Sequence, residues 1–221
     1  MLAAQLNTIF ENIYNILIGK FYSVKALGFY ERAYTFNNYP VSILSGILLK
    51  VSLPSLTSIK SDEERLQKAY KSIMQMSFLI SSCGLAFAAL LAHQIVKLFL
   101  GEQWLPIVPL FQVLSVSFMF YPIHSLNINI LSVFGRSDLF LKLEVVKKIM
   151  ILIVVAICFN FEVRGLVWSS VINSILALII NTHYSGRFLN YPTKNQLLDL
   201  LPTLAPVLVT VSIVYGFQMF F

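Results

Sequence analysis

Charge is what this sequence has least of. Only 12% of its 221 residues are Asp, Glu, Lys or Arg, whereas soluble domains carry about 25%. Hydrophobic residues make up 57% of the chain and its mean hydropathy is +0.78. Because so little polar surface is available to cover a globule of this size, the composition predicts a protein that resides in a lipid bilayer.

Residues that would support catalysis or metal binding are also scarce. The two cysteines, Cys83 and Cys158, lie far apart within apolar runs, which indicates packing roles. The three histidines show no metal-ligand spacing. The sequence has no nucleophile–base pattern, no glycine-rich phosphate loop and no paired carboxylates within an apolar segment. We therefore expect neither an enzyme nor a bound metal or cofactor.

Long apolar runs, by contrast, fill most of the chain. A helix needs about 20 apolar residues to cross a bilayer, and these runs are continuous rather than alternating, which excludes barrel strands. The sequence predicts an all-α fold, a polytopic transmembrane helix bundle of about seven spanning helices. The predicted segments are 2–19, 37–58, 73–95, 106–133, 139–160, 165–185 and 198–221.

The net charge of +6 fits membrane topology better than nucleic-acid binding. The basic residues cluster at the ends of apolar runs, and no basic stripe interleaved with aromatics is present, so no nucleic-acid partner is expected. Links on one side of the predicted bundle carry eight basic residues, against five on the other. The positive-inside rule then predicts that loops 59–72, 134–138 and 186–197 are cytoplasmic.

One of these loops contains a helix-start pattern. Ser61 precedes two acids that favour the positive end of a helix dipole, and Glu64 stands at the capping-box position. The pattern predicts a helix capped by Ser61 that runs into the third apolar segment.

Polar residues inside two apolar segments suggest a wet interior, because such residues are costly in lipid. Asn7, Glu11 and Asn15 recur every four residues and share a helix face. They predict either a water-filled cavity or a polar contact between helices. His124 and Asn127 share a face after Pro122, and they predict either ligand contacts or interhelical hydrogen bonds.

The fifth segment carries a local cluster of charge. Glu144, Lys147 and Lys148 lie at i, i+3 and i+4, so they meet on one helix face with a net positive charge. Lys50 is set among apolar residues in the second segment. The positions of these lysines indicate either a binding site for a phosphate group or side chains that extend to the lipid headgroups.

Several stretches together resemble a known family. The runs 121–131 (YPIHSLNINIL) and 135–149 (GRSDLFLKLEVVKKI), with 27–34 (LGFYERAY) and 101–109 (GEQWLPIVP), resemble the later half of bacterial polysaccharide flippases. These are the O-antigen, colanic-acid and teichuronic-acid exporters of the multidrug/oligosaccharidyl-lipid/polysaccharide superfamily. The resemblance implies a second transporter lobe of six helices in residues 1–196 and an extra helix in 197–221. It also implies that the chain is a fragment whose first lobe is missing.

The resemblance implies a function as well. Such proteins flip undecaprenyl-pyrophosphate-linked oligosaccharide across the bacterial inner membrane by alternating access between two lobes. The expected partners are the lipid-linked oligosaccharide, the bilayer, the missing lobe, and the polymerase and glycosyltransferases of the pathway. The implied phosphate contacts are Lys50, Lys147 and Lys148. The implied sugar or ion contacts are Asn7, Glu11, Asn15, His124, Asn127 and Glu144.

Two other functions remain open at this point. A multidrug exporter coupled to Na⁺ or H⁺ would need a deep acidic group, and Glu11 is the one that the sequence offers. A membrane scaffold within a glycan assembly complex would be favoured by a paired soluble domain or a carboxylate constellation, and the sequence shows neither.

Overall fold

A computed structural model describes residue 10 and residues 12–220. That part of the chain is helical and contains no β-strand, which confirms the predicted all-α fold. Its elements are α1 (Ile13–Phe21), α2 (Val24–Ser58), α3 (Glu63–Leu90), α4 (Ala92–Phe99), a 3₁₀ helix (Glu102–Ile107), α5 (Val108–Phe118), α6 (Tyr121–Val133), α7 (Ser137–Cys158), a second 3₁₀ helix (Phe159–Phe161), α8 (Glu162–Phe188) and α9 (Thr193–Phe220).

The helices are long and apolar enough for a multi-pass membrane protein. Within the described residues, four helical stretches meet the length and composition needed to cross a bilayer: Val24–Ser58, Glu63–Leu90, Glu102–Val133 and Ser137–Phe188. The last of these contains both α7 and α8, of 22 and 27 residues. The total of about seven crossings and the division at residue 196 stay predictions.

Helix α2 begins well before the predicted segment 37–58. The Ser23 hydroxyl accepts the Ala26 N–H at 3.0 Å, which caps the helix, and 35 residues follow without interruption. Tyr30 and Ala33 are buried in this added part, at helical spacing with the buried Asn37 that follows. The predicted link between residues 20 and 36 is therefore mostly helix, because polar residues lowered the local hydropathy without breaking the helical face.

The cap of α3 differs from the prediction by one residue. Asp62, not Ser61, accepts the Arg65 N–H at 3.0 Å, and α3 begins at Glu63. Glu64 bonds to Lys68 at 2.6 Å instead of closing a capping box. A carboxylate next to the positive end of the helix dipole gains electrostatic energy that a hydroxyl does not.

The predicted fourth segment is broken in its middle. Helix α5 ends at Phe118, α6 begins at Tyr121, and Pro122 lies in the first turn of α6. Serines of neighbouring helices donate hydrogen bonds to two backbone carbonyl oxygens at this break. Ser174 Oγ donates to Ser117 O at 2.9 Å, and Ser81 Oγ donates to Met119 O at 2.8 Å. Such substitute partners make an interrupted helix tolerable within a membrane.

The core is divided into two apolar clusters separated by a polar layer. In α3, Tyr70 belongs to one cluster and Leu85 to the other, with buried Ser81 between them. The same order recurs along α8, where Asn173 lies between Leu166 and Leu178. The polar layer therefore crosses the bundle near the middle of its helices.

Candidate functional site

A cavity of about 470 Å³ lies in this polar layer, bounded by α1, α2, α5, α6, α7 and α8. Pockets that hold small molecules measure about 300–1,000 Å³, so the cavity has room for a ligand of that class. It is the candidate functional site.

One wall of the cavity is a continuous series of aromatic rings, called here the aromatic wall. Tyr14 stacks on Tyr30, and Tyr30 contacts Tyr34, with centroid distances of 6.1 Å in both pairs. Tyr34 meets Phe118 edge to face at 5.2 Å, and Phe118 contacts Tyr121 at 6.2 Å. The break between α5 and α6 places the last two rings side by side. Tyrosines offer a ligand large, rigid surfaces that are apolar on the face and polar at the tip.

Two amide side chains that line the cavity have unused acceptors. Asn173 is only 8% exposed and its Nδ2 donates to the Tyr14 hydroxyl at 3.0 Å. The Oδ1 atoms of Asn173 and Asn15 are buried and have no hydrogen-bond partner within the described part of the chain. Because an unsatisfied buried acceptor is costly, both atoms suit a ligand that donates hydrogen bonds.

The cavity has an acidic side chain in its lining and none of the predicted phosphate contacts. Glu31 of α2 lines it, and the described lining residues include no lysine or arginine. The resemblance implied phosphate contacts at Lys50, Lys147 and Lys148, and none of these residues lines the cavity. The observed lining instead favours groups that donate hydrogen bonds, such as hydroxyls or amines.

His124 lines the cavity and joins α6 to α8. Its Nε2 lies 3.2 Å from Ser174 Oγ, and its Nδ1 lies 3.4 Å from Asn181 Nδ2. Ser174 gives its only hydroxyl hydrogen to Ser117 O, so it accepts from His124. These bonds assign the hydrogen of a neutral imidazole to Nε2 and an acceptor role to Nδ1.

Asn127 lies outside the cavity lining, within a buried hydrogen-bond network. Its Oδ1 accepts from the Tyr70 hydroxyl at 2.8 Å and from Ser185, and its Nδ2 donates to Ile123 O at 2.9 Å. These bonds connect α3, α6 and α8. The geometry favours the interhelical alternative for Asn127 over a ligand contact.

The structure does not bring the three predicted phosphate contacts together around the cavity. Lys50 is exposed on α2 and is not among the lining residues. Lys147 forms an ion pair with Glu144, and its side chain is only 15% exposed. Lys148 Nζ lies 5.5 Å from the centroid of the Phe10 ring. Within this cluster, Lys147 is therefore paired with Glu144, at the predicted spacing of three residues.

Lys147 and Lys148 nevertheless lie close to the cavity along α7. They precede Ile151, which lines the cavity, by four and three residues, so all three share a helix face. The two lysines thus stand about one helical turn from the cavity, toward the start of α7.

Of the predicted face in the first segment, only Asn15 can be located. It lines the cavity, whereas Asn7 and Glu11 lie outside the described residues. The sequence reasoning missed Tyr14, and it missed Glu31 and the Tyr30–Tyr34 pair because residues 20–36 were assigned to a link. The spacing of Ser170, Asn173 and Ser174 on one face of α8 was a signal that could have revealed the opposite wall.

Long apolar helices around a polar cavity define a multi-pass α-helical membrane protein. Residues 1–109 match a family described as polysaccharide biosynthesis protein. The chain is 29% identical over 133 residues to a teichuronic acid biosynthesis protein of Bacillus subtilis, which covers 60% of this chain and 28% of that protein. It is 24% identical over 177 residues to a lipopolysaccharide biosynthesis protein of Escherichia coli, covering 80% of this chain and 35% of that one. No solved structure shows significant similarity.

These similarities confirm the predicted resemblance: the chain is related to membrane proteins of bacterial polysaccharide biosynthesis. A third relative, 29% identical over 112 residues, is an uncharacterised membrane protein from the cps region of Klebsiella pneumoniae. The chain spans about a quarter to a third of the length of these curated relatives. Its assignment to their later half stays a prediction.

Proposed function

We propose that the chain forms one lobe of a transporter, not an enzyme, that flips undecaprenyl-pyrophosphate-linked oligosaccharide across the bacterial inner membrane by alternating access. The relatives named for teichuronic acid and lipopolysaccharide biosynthesis support a glycan substrate. The second lobe of the transporter and the polymerase and glycosyltransferases of the pathway are the proposed partners. Loops 59–72, 134–138 and 186–197 face the cytoplasm in this proposal.

The observation that carries the proposal is the combination of aromatic wall and unpartnered amide oxygens in one cavity. Sugar rings present C–H faces that pack on aromatic rings and hydroxyls that donate to acceptors. Glu31 and the Asn15 and Asn173 oxygens supply such acceptors. The cavity therefore takes the glycan part of the substrate.

The pyrophosphate is assigned to a separate place. Lys147 and Lys148 lie about one turn from the cavity along α7, on the side of the loop 134–138. A substrate with its sugar against Ile151 and the aromatic wall would direct its phosphates toward these lysines. Binding would require Glu144 to share Lys147 with the phosphate, since the two side chains are paired in the structure.

A second candidate function rests on Glu31. A carboxylate in a cavity beside unpartnered amide oxygens is also an arrangement that a Na⁺- or H⁺-coupled multidrug exporter would use. The two functions differ in their ligand, because the exporter would move apolar or cationic drugs.

The test compares two tyrosines of α2 in the complete transporter. Tyr34 belongs to the aromatic wall and is 36% exposed, whereas Tyr39, five residues further along the helix, is 68% exposed and does not line the cavity. We expect Tyr34→Ala to reduce flipping of a fluorescent lipid-linked oligosaccharide in vesicles about tenfold, the loss of one stacking contact of about 1.4 kcal/mol. Tyr39→Ala should flip normally. Equal flipping rates for the two variants would show that the aromatic wall takes no part in transport. Drug efflux without glycan flipping would favour the multidrug exporter.

A further inference from the structure

The corner between α8 and α9 is a rigid structure on the predicted cytoplasmic side. Tyr191 N–H bonds to Gly186 O at 3.0 Å around Asn190, which has a left-handed φ of 47°, as in a Schellman termination. Gln196 Nε2 donates to Tyr191 O at 2.8 Å and to Thr182 O at 3.1 Å. A Cβ on Gly186 would collide with the Tyr191 carbonyl oxygen. The backbone of this corner is therefore held in a defined conformation.

A pocket of about 490 Å³ lies on the corner, and its charged lining is basic. His183 and Arg187 of α8 and Lys194 of α9 line it, and none of the described lining residues is a carboxylate. The Oγ1 atom of Thr193 at the same place is buried without a hydrogen-bond partner in the described region. Arginine, lysine and a free hydroxyl together match the oxygens of a phosphate group.

Two carboxylates of the corner bind residues that line the pocket. Glu63 accepts from the Asn190 amide at 2.9 Å, and Asp199 accepts from the Tyr191 hydroxyl and pairs with Lys71 at 2.8 Å. Neither acid lines the pocket. Within the described residues, Arg187 and Lys194 form no ion pair, so the pocket keeps a net positive charge.

The face of α8 below the pocket is apolar and exposed. Ile175, Ile179, His183 and Arg187 follow one another at intervals of four, and the two isoleucines are exposed. On α9, Leu198 and Leu201 are exposed and follow Lys194 at intervals of four and three residues, so they share its helix face. Apolar contacts for acyl chains thus continue directly into basic contacts for a headgroup, the order that a bound phospholipid requires.

We propose that this pocket binds the phosphate of an anionic phospholipid, with the acyl chains against α8 and α9. Its position at the end of the membrane-spanning stretch Ser137–Phe188 places the phosphate at headgroup level. The site is separate from the cavity, and its occupancy does not depend on glycan transport.

The test measures lipid retention by native mass spectrometry of the full chain in neutral detergent, with phosphatidylglycerol and phosphatidylethanolamine as probes. We expect the wild type to retain phosphatidylglycerol preferentially, and Arg187→Gln with Lys194→Gln to lower its binding about tenfold or more. The matched control is Lys20→Gln with Lys25→Gln, two exposed lysines at the opposite end of the bundle. This control should retain the lipid as the wild type does.

Three outcomes would overturn the proposal. Undiminished phosphatidylglycerol binding by the Arg187/Lys194 variant would show that the pocket is not the lipid site. An equal loss of binding in the control pair would show that the lipid is attracted by the general positive charge of the surface. Stabilisation by inorganic phosphate alone, with no preference among lipids, would assign the pocket to free phosphate. If the double variant fails to fold, Lys194→Gln alone, at an exposed position, serves in its place, with a smaller loss expected.

Discussion

The Asn173 amide nitrogen donates a 3.0 Å hydrogen bond to the Tyr14 hydroxyl. The bond joins α1 to α8 across the cavity wall, and Ser169 Oγ donates to the same hydroxyl at 3.2 Å. It orients the Asn173 amide so that Nδ2 is used within the protein, while Oδ1 has no partner in the described residues. The Asn173 side chain thereby links α1 to α8 and also provides a hydrogen-bond acceptor for a ligand.

The first prediction separates these two roles of Asn173. Replacement by Ala should lower the free energy of unfolding by about 1 kcal/mol, because interhelical hydrogen bonds in membranes are individually weak. Glycan flipping should fall by much more than this loss explains, about tenfold or more, because the ligand acceptor is removed as well. Thermal unfolding in detergent and flipping in vesicles measure the two effects.

Asn160→Ala is the matched control, because Asn160 is exposed near the end of α7 and outside the cavity lining. It should change neither quantity. A variant of Asn173 that loses stability but flips glycan at the wild-type rate would limit the residue to a structural role.

The second prediction concerns the Asn127 network. Asn127→Leu leaves the Tyr70 and Ser185 hydroxyls without their shared acceptor, and we expect a loss of about 1–3 kcal/mol in stability. Tyr70→Phe removes only one donor and should cost less. Because Asn127 does not line the cavity, substrate affinity of the folded fraction should stay unchanged. A large change in substrate affinity at unchanged stability would instead indicate that Asn127 contacts the substrate.

The third prediction tests the phosphate assignment on α7. Lys147→Ala with Lys148→Ala, in the complete transporter, should abolish surface glycan delivery without lowering expression. Lys142→Ala is the control, because Lys142 is an exposed lysine on the same helix. Glu144→Gln should preserve or raise binding of the pyrophosphate, since it releases Lys147 from its ion pair. Normal delivery by the double variant would contradict the assignment.

The fourth prediction fixes the orientation of the chain in the membrane. With Cys83 and Cys158 replaced by Ser, a cysteine at Ser61 should react with an impermeant maleimide only from the cytoplasm. Ser61 is suitable because it is exposed in the link before α3, whereas neighbouring Leu66 is buried and would be protected from either side. Labelling from outside intact cells would reverse the predicted topology.

Much of the fold could be predicted from composition and periodicity. A chain so poor in charge can satisfy its backbone in lipid only by forming helices, so the all-α bundle follows from local physics. The same reasoning predicted either a water-filled cavity or a polar helix contact at Asn15, and in the structure Asn15 is among the cavity-lining residues. The start of α2 was harder to predict. Hydropathy indicates which residues face lipid, whereas the helix at residues 24–36 is stabilised by a buried face that includes Tyr30 and Ala33 and continues to Asn37.

The composition of the cavity depended on contacts between distant helices. Spacing brings Tyr30 and Tyr34 onto one face, yet only the docking of α1 and the break after Phe118 complete the aromatic wall. Spacing also grouped Glu144, Lys147 and Lys148 on one helix face, but it could not tell that none of the three would line the cavity while Glu31 of α2 would. Membrane residence and helicity are properties of the chain's local composition, whereas the sign of the charge in the cavity depends on which helices pack together.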